Sequence, residues 1–165
     1  MPRLVVISNR VAVPDPTGKG AAGGLAVALK EAFQTHDGLW IGWSGKVATH
    51  PSATPRFVDK DRVRYALLDL ATIDRDEYYS GFANRALWPN MHYRVGLSEF
   101  SRSDYAGYLR VNRTFANVVS TLIRPDDLVW VHDYHLIPFA EELRRLGVTQ
   151  PMGFFLHIPL PPPDL

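Results

Sequence analysis

Three apolar runs in this sequence end in residues that can do chemistry. Leu4-Val5-Val6-Ile7 leads into Ser8-Asn9-Arg10, Leu128-Val129-Trp130-Val131 leads into His132-Asp133-Tyr134-His135, and the run from Met152 to Leu156 leads into His157. A guanidinium is a planar fork of donors suited to a phosphate. A carboxylate can orient an attacking hydroxyl or share its proton. Gly23-Gly24 opens an apolar-periodic segment. The free N–H groups at a helix start can hold a diphosphate, and glycine lets the backbone approach it closely. The spacing of Gly18, Gly20, Gly23 and Gly24 is not the dinucleotide fingerprint. Each cluster taken alone is also what the polar end of a buried strand looks like, and Arg10 alone reads as a surface ion pair. Their convergence is what points to a site.

His132, Asp133, His135 and His157 also admit a metallohydrolase reading, since histidines near a carboxylate can ligate zinc. His132 and Asp133 would point to opposite faces of a continuing strand, however, and the expectation is no metal and no cofactor. The better role for Asp133 is a hydroxyl acceptor. Tyr78, Tyr79, Phe82, Trp88, His92 and Tyr93 form a dense aromatic stretch that can offer a wall to the apolar face of a sugar. Most of these rings are expected in the core, with Trp88, on an irregular segment before Pro89, as the wall residue. Trp40 and Trp43 flank Gly42, and one of the two is expected to be buried.

The elements that must position these groups follow from pattern. Leu4–Ile7 is short, β-branched and apolar throughout, as a strand buried on both faces is. Residues 14–24 are rich in Pro and Gly and read as a loop. Leu25, Ala28, Leu29, Ala32 and Phe33 recur at helical spacing over Gly24–Thr35. Strands are expected at 38–42, 56–58 and 63–68, and a short helix at 74–82 with acidic residues in its first turn. Irregular chain follows over 87–100. A long helix runs from Ser103 and stops before Pro125. Strand 128–131, a helix from about Pro138 to Leu146 capped by Gly147, and strand 152–156 complete the order. Strands alternating with helices imply an α/β, Rossmann-like doubly wound sheet, in which ligands bind outside the carboxyl ends of the strands. Parallel strands would then bring Arg10, Asp133 and His157 to one edge.

The bulk numbers agree with a globular domain. Hydrophobic residues are 46% and charged residues 21% of 165, and the net charge is +1. That balance argues against a nucleic-acid or anionic-membrane partner. There is no cysteine, so disulfides and thiolate metal sites are excluded. No apolar run reaches the ~18 residues of a membrane span, and a soluble, cytoplasmic protein is the default expectation. The Pro-Leu-Pro-Pro-Pro run near Leu165 can be neither helix interior nor central strand. A doubly wound domain is expected to return through a helix at that point, so the chain reads as an incomplete lobe.

The motifs together identify a family. Ser8-Asn9-Arg10, Ala22-Gly23-Gly24-Leu25, Gly42-Trp43-Ser44-Gly45, Glu77-Tyr78-Tyr79, Leu87-Trp88-Pro89, His92-Tyr93-Arg94, Tyr108-Leu109-Arg110-Val111-Asn112, Trp130 to Leu136 and Gly153 to Pro159 occur in the order found in the trehalose-6-phosphate synthases, glycosyltransferase family 20. The sequence resembles that family over essentially its whole length, and the last two motifs are the most specific. The resemblance implies the N-terminal half of a GT-B fold, two Rossmann-like lobes around a cleft, with residues 1–165 as the acceptor-side lobe and the C-terminal nucleotide-sugar lobe absent. It implies retaining transfer of glucose from UDP-glucose to glucose 6-phosphate without an obligatory metal, by front-face attack assisted by the leaving diphosphate. Arg10 would hold the acceptor phosphate. Tyr79, Trp88 and Asp133 would line the acceptor sugar. Gly23 and Gly24 would lie by the donor diphosphate, and His157 near the donor sugar, with Asp133 and His157 at the reacting centre. Without the second lobe the leaving charge would have little compensation, so the 165 residues alone are expected to be inactive or nearly so. A lobe without its partner would also expose apolar surface and tend to form homo-oligomers. The alternatives are a glucosylglycerol-phosphate synthase-like transferase and a non-catalytic regulatory subunit of a trehalose-synthesising complex. Arg10, Asp133 and His157 speak against the latter.

Overall fold

The strands and helices follow in the order β1 (Leu4–Arg10), α1 (Gly24–Thr35), β2 (Gly38–Val47), β3 (Arg56–Lys60), β4 (Val63–Leu70), α2 (Thr72–Asp74), α3 (Trp88–Met91), α4 (Arg102–Leu122), β5 (Leu128–His132), α5 (Phe139–Arg145) and β6 (Met152–Phe155). A π-helical segment, Arg75–Leu87, joins α2 to α3. These elements come from a computed structural model that describes residues 2–14 and 24–164. The six strands form one sheet in the order β3-β4-β2-β1-β5-β6. All neighbours are parallel except β3, which runs antiparallel along β4 at the edge.

The apolar strands are continuous because both faces of the sheet are covered. Successive strand residues point to opposite faces. Val5, Ile7, Leu39, Ile41, Val129 and Val131 pack with Tyr78, Tyr108, Phe115 and Leu143 from the π-helical segment, α4 and α5. Val6, Trp40, Tyr65 and Leu67 pack with Leu29 and Phe33 of α1 on the other side. Each fully buried aliphatic side chain contributes about 1.5–3 kcal/mol relative to exposure, so the interleaved pattern fixes the register as well as the fold.

That register decides where the polar strand ends emerge. Ile7 lies opposite both Ile41 and Val131, Arg10 lies opposite Trp43, and His132 lies opposite Phe155. Asn9, Arg10, Trp43, Asp133 and His157 therefore leave the sheet at one edge. The strand order also reverses at β1, with β2 and β4 on one side and β5 and β6 on the other. A crevice outside the carboxyl ends at such a reversal is where open α/β sheets bind ligands.

Several elements differ in extent from what the pattern implies. β1 continues through Ser8-Asn9-Arg10, so these residues are the last rungs of the strand. β2 extends to Val47, with Gly45 at a φ of +88°. The helix expected at 74–82 belongs to a helical run from Thr72 to Met91. Its π character shows at the Trp88 N–H, which donates to the Ala83 carbonyl five residues back. Trp88 thus begins a helical turn rather than lying on irregular chain. Pro89 has no N–H to give the Arg85 carbonyl, and that carbonyl accepts from Glu99 N–H instead at 2.9 Å. The run packs closely on α4 because Gly107 has no side chain: a Cβ there would stand 2.3 Å from Glu77 Cβ. Trp40 and Trp43 are both buried, not one of the two.

Candidate functional site

The carboxyl edge carries a connected set of side chains. At one end the exposed Arg10 guanidinium lies 5.6 Å from the centroid of the Trp43 ring. Trp43 is held from below, its indole N–H donating to Lys46 carbonyl at 2.7 Å. The Trp43 ring meets Tyr79 at 5.6 Å between centroids, and Tyr79 stacks on His135 at 5.7 Å with 14° between planes. His135 in turn touches Tyr134 at 4.0 Å. The chain of rings runs from the guanidinium to the residue next to Asp133. Among the described residues no carboxylate pairs with Arg10. Its charge is offset only by the negative face of the indole.

At the other end stands Asp133. Its backbone adopts φ +77° and ψ +165°, a region that side chains rarely occupy and that costs about 1–3 kcal/mol. The surroundings enforce it. Asp133 N–H donates to Phe155 carbonyl at 2.8 Å, and Asp133 carbonyl accepts from Leu136 N–H at 3.0 Å. One carboxylate oxygen, Oδ1, accepts from Tyr134 N–H at 3.0 Å and from His157 N–H at 3.2 Å. The carboxylate thereby ties the end of β5 to the chain leaving β6. The other oxygen, Oδ2, has no partner among the described residues and remains available to a hydroxyl.

His157 follows β6 and reaches back to β5. Its Nε2 lies 2.9 Å from Nδ1 of His132. His132 is buried, and burial first, then the proximity of the His157 ring, pushes its pKa down to about 4. Burial likewise pushes His135 down to about 3, so both imidazoles are neutral at pH 7. The hydroxyls of Tyr78, Tyr108 and Tyr134 are raised by burial and stay protonated. They act as donors that brace the edge: Tyr78 to Asn9 Oδ1 at 3.0 Å, Tyr108 to Tyr134 carbonyl at 2.6 Å, and Tyr134 to Asn84 Oδ1 at 2.9 Å.

Of the residues singled out in the sequence, Arg10, Tyr79, Asp133 and His157 share the carboxyl edge. Trp88 is 44% exposed and stacks on His92 at 4.0 Å. It sits where the π-helical segment gives way to α3, beside Leu87, which packs near Leu156 and Ile158. Gly24 is the first residue of α1. Gly23 lies outside the described residues. Three residues at this edge take supporting roles that the sequence does not assign to them. Trp43 forms the floor under Arg10, His135 supports Tyr79, and His132 backs His157. The register of Arg10 opposite Trp43 is the signal that finds the first. The four residues of the metal reading do not converge, since His135 is turned into the stack with Tyr79. Among the described residues no group of three or more His, Asp or Glu side chains could hold a metal ion. No helix among them is long and apolar enough to cross a membrane.

An arrangement of this kind offers a fixed positive charge at one end, a carboxylate with one open oxygen at the other, and aromatic faces between. It suits a small molecule bearing an anionic group and hydroxyls.

Comparison with known proteins gives this edge a context. The family model of glycosyltransferase family 20 matches residues 4–165. A trehalose-6-phosphate synthase of Sinorhizobium fredii is 53% identical over 167 residues, covering 100% of this chain and 36% of its own length. The crystal structure of a UDP-forming alpha,alpha-trehalose-phosphate synthase from Burkholderia vietnamiensis superposes with a TM-score of 0.93 at 51% identity, over 99% of this chain and 35% of that one. The Burkholderia xenovorans enzyme, solved in complex with glucose-6-phosphate, superposes with a TM-score of 0.85 at 46% identity, over 96% of this chain and 34% of that one. The chain spans about a third of the length of these relatives.

Proposed function

This chain belongs to glycosyltransferase family 20, and on that premise we propose that its carboxyl edge is the acceptor side of a retaining transferase moving glucose from UDP-glucose to glucose 6-phosphate. The product is trehalose 6-phosphate, made in the cytoplasm. The observation that carries the reading is the pairing of Arg10, without a carboxylate partner among the described residues, with Asp133, held open at Oδ2, on one aromatic-floored edge. The relative solved with glucose-6-phosphate supports the choice of acceptor.

Arg10 binds the acceptor phosphate. Tyr79 and Trp88 offer their faces to the acceptor ring, and Asp133 Oδ2 accepts from an acceptor hydroxyl and orients it. Gly23, Gly24 and the start of α1 lie against the donor diphosphate. His157 meets the donor sugar. The bond from the glucose anomeric carbon to the diphosphate oxygen breaks, and the acceptor oxygen bonds to that carbon on the same face. The hydroxyl proton passes to the departing phosphate oxygen. No side chain of this edge forms a covalent intermediate. The residues work by holding the reactants in line and by placing dipoles where charge develops. These 165 residues form the acceptor-side lobe, and a nucleotide-binding lobe beyond them completes the cleft. Turnover of UDP-glucose by the 165-residue chain alone would contradict that division.

Calorimetry tests the acceptor half of the reading. The chain is expected to bind glucose 6-phosphate and to bind glucose more weakly by about 10- to 100-fold, the worth of a charge-assisted contact of about 1.5–3 kcal/mol. Equal affinity for the two sugars would overturn the assignment.

A further inference from the structure

We infer that His132 is a positioning residue that fixes the proton of His157 on Nδ1, so that His157 faces the cleft as a hydrogen-bond donor and not as a base.

The two rings share a hydrogen. His132 Nδ1 and His157 Nε2 are 2.9 Å apart. In the neutral forms of the two imidazoles one hydrogen lies between the rings at that distance, so one ring donates and the other accepts. The surroundings of the rings differ. His132 is 1% exposed, at the end of β5 between the rings of Trp130 at 4.5 Å and Phe155 at 6.3 Å. Its second nitrogen, Nε2, is buried and has no hydrogen-bond partner among the described residues. His157 is exposed.

The buried nitrogen decides which ring donates. If His157 donated to His132 Nδ1, neutral His132 would carry its proton on Nε2, a stranded N–H inside apolar surroundings. Among buried backbone groups an orphaned N–H is rarer than an under-satisfied carbonyl, and a stranded ring N–H is a donor of the same kind. The arrangement with the smaller penalty has His132 donating from Nδ1 and leaves a bare lone pair at Nε2. His157 then accepts at Nε2, and its neutral form carries the proton on Nδ1. This is the opposite of the free side chain, whose neutral form favours the proton on Nε2.

The backbone locks the pair in place. His157 N–H donates to Asp133 Oδ1, and Asp133 N–H donates to Phe155 carbonyl. These bonds fix the backbone from which the His157 ring reaches His132, and the ring itself is held by its bond to His132 Nδ1. The Asp133 carboxylate, at the end of β5, is bonded to the His157 backbone through Oδ1. Low pKa at His132 agrees with a ring that stays a neutral donor partner. The tautomer rests on this geometry alone. That the Nδ1–H meets a hydroxyl or phosphate oxygen of a sugar nucleotide rests on the function proposed above. It changes the chemistry assigned to His157, because a nitrogen that already carries its proton stabilises an oxygen and cannot remove a proton from one.

The test is the two-bond proton–nitrogen spectrum of the chain with histidine labelled with nitrogen-15, recorded at pH 8 without ligand. His157 is expected to show a pyrrole-type Nδ1 and a pyridine-type Nε2, with His132 pyrrole-type at Nδ1. In His132→Phe the His157 proton is expected to move to Nε2. In His132→Asn, whose side-chain amide can donate from near the Nδ1 position, it is expected to stay on Nδ1. A pyrrole-type Nε2 at His157 in the parent would overturn the inference, as would an unchanged His157 spectrum in His132→Phe. The parent spectrum alone distinguishes the two tautomers, even if a variant fails to fold. Loss of glucose 6-phosphate binding with this tautomer intact would count against the proposed function and leave the inference standing.

Discussion

Strand β1 ends in one arginine and is preceded by another, and the two are treated in opposite ways. Arg3, just before the amino end, is clamped: its guanidinium donates to Asp127 Oδ1 at 3.1 Å, to Asp127 Oδ2 at 2.7 Å and to Leu122 carbonyl at 2.9 Å. The side chains are 13% and 2% exposed. Arg10, at the carboxyl end, is exposed over an indole, with no carboxylate partner among the described residues. The same residue type thus serves as a staple at one edge and as an uncompensated charge at the other. The amino edge is closed by bonds within the protein. At the carboxyl edge strained backbone, one open carboxylate oxygen and a guanidinium without a counter-charge face outward. Real proteins depart from local rules at functional sites, and here Arg10 and Asp133 are two such departures on the carboxyl side of the sheet.

The largest expected effect lies at the stapled end. Asp127→Ala removes the partner of a mostly buried Arg3 and the acceptor for Arg124 N–H. It is expected to destabilise the chain by about 3–5 kcal/mol, read by chemical denaturation. A loss below ~1 kcal/mol would mean that the clamp is ornamental.

A second effect comes from acid. The folded pKa values of His132 and His135 lie near 4 and 3, below the unfolded value near 6.5. Between those values the unfolded chain takes up protons that the folded chain refuses. Their stabilisation is therefore complete above pH 6.5 and is lost as pH falls toward 4, with a slope of up to about 1.4 kcal/mol per pH unit for each imidazole. Denaturation at a series of pH values checks this. His135→Phe, which keeps a ring under Tyr79, is expected to flatten the slope, and an unchanged slope would contradict the burial account.

Smaller effects separate the two edges further. Gly42→Ala would place a Cβ 2.1 Å from the Ser8 carbonyl oxygen. The end of β1 must then move, at a cost of about 1–3 kcal/mol, and Arg10 moves with it. Both stability and sugar-phosphate affinity are expected to fall. Arg10→Ala is expected to leave stability within about 0.5 kcal/mol of the parent. A melting curve displaced as far as that of Asp127→Ala would erase the distinction between the arginines.

The parts of the fold set by periodicity are the parts that sequence reading recovers. α1 spans Gly24–Thr35 as its spacing implies, β5 and β6 lie within a residue of their expected ends, and α4 starts one residue early and stops before Pro125. Trp40 and Trp43 sit in separate clusters on opposite faces of β2. Their odd spacing carries that information, but only for a strand known to continue past Gly42. The π-helical run is not legible in sequence, because its widened hydrogen bonding follows from packing on α4 and its spacing is no longer 3.6. Arg10, Asp133 and His157 are legible as polar ends of apolar runs. Their supports are not: Trp43, His135 and His132 act through contacts that exist only once β2, the π-helical segment and β6 lie beside β1 and β5. No glycine marks the positive φ at Asp133, since hydrogen bonds from β6 and the following turn impose it.

The central claim is that the carboxyl edge, through Arg10, meets a phosphate. The phosphorus-31 resonance of glucose 6-phosphate, followed as the chain is added, tests it most directly. The parent and a stable variant at the amino edge are expected to shift or broaden that line, and Arg10→Ala is expected to leave it as in buffer. An equal perturbation by Arg10→Ala and the parent would contradict the account.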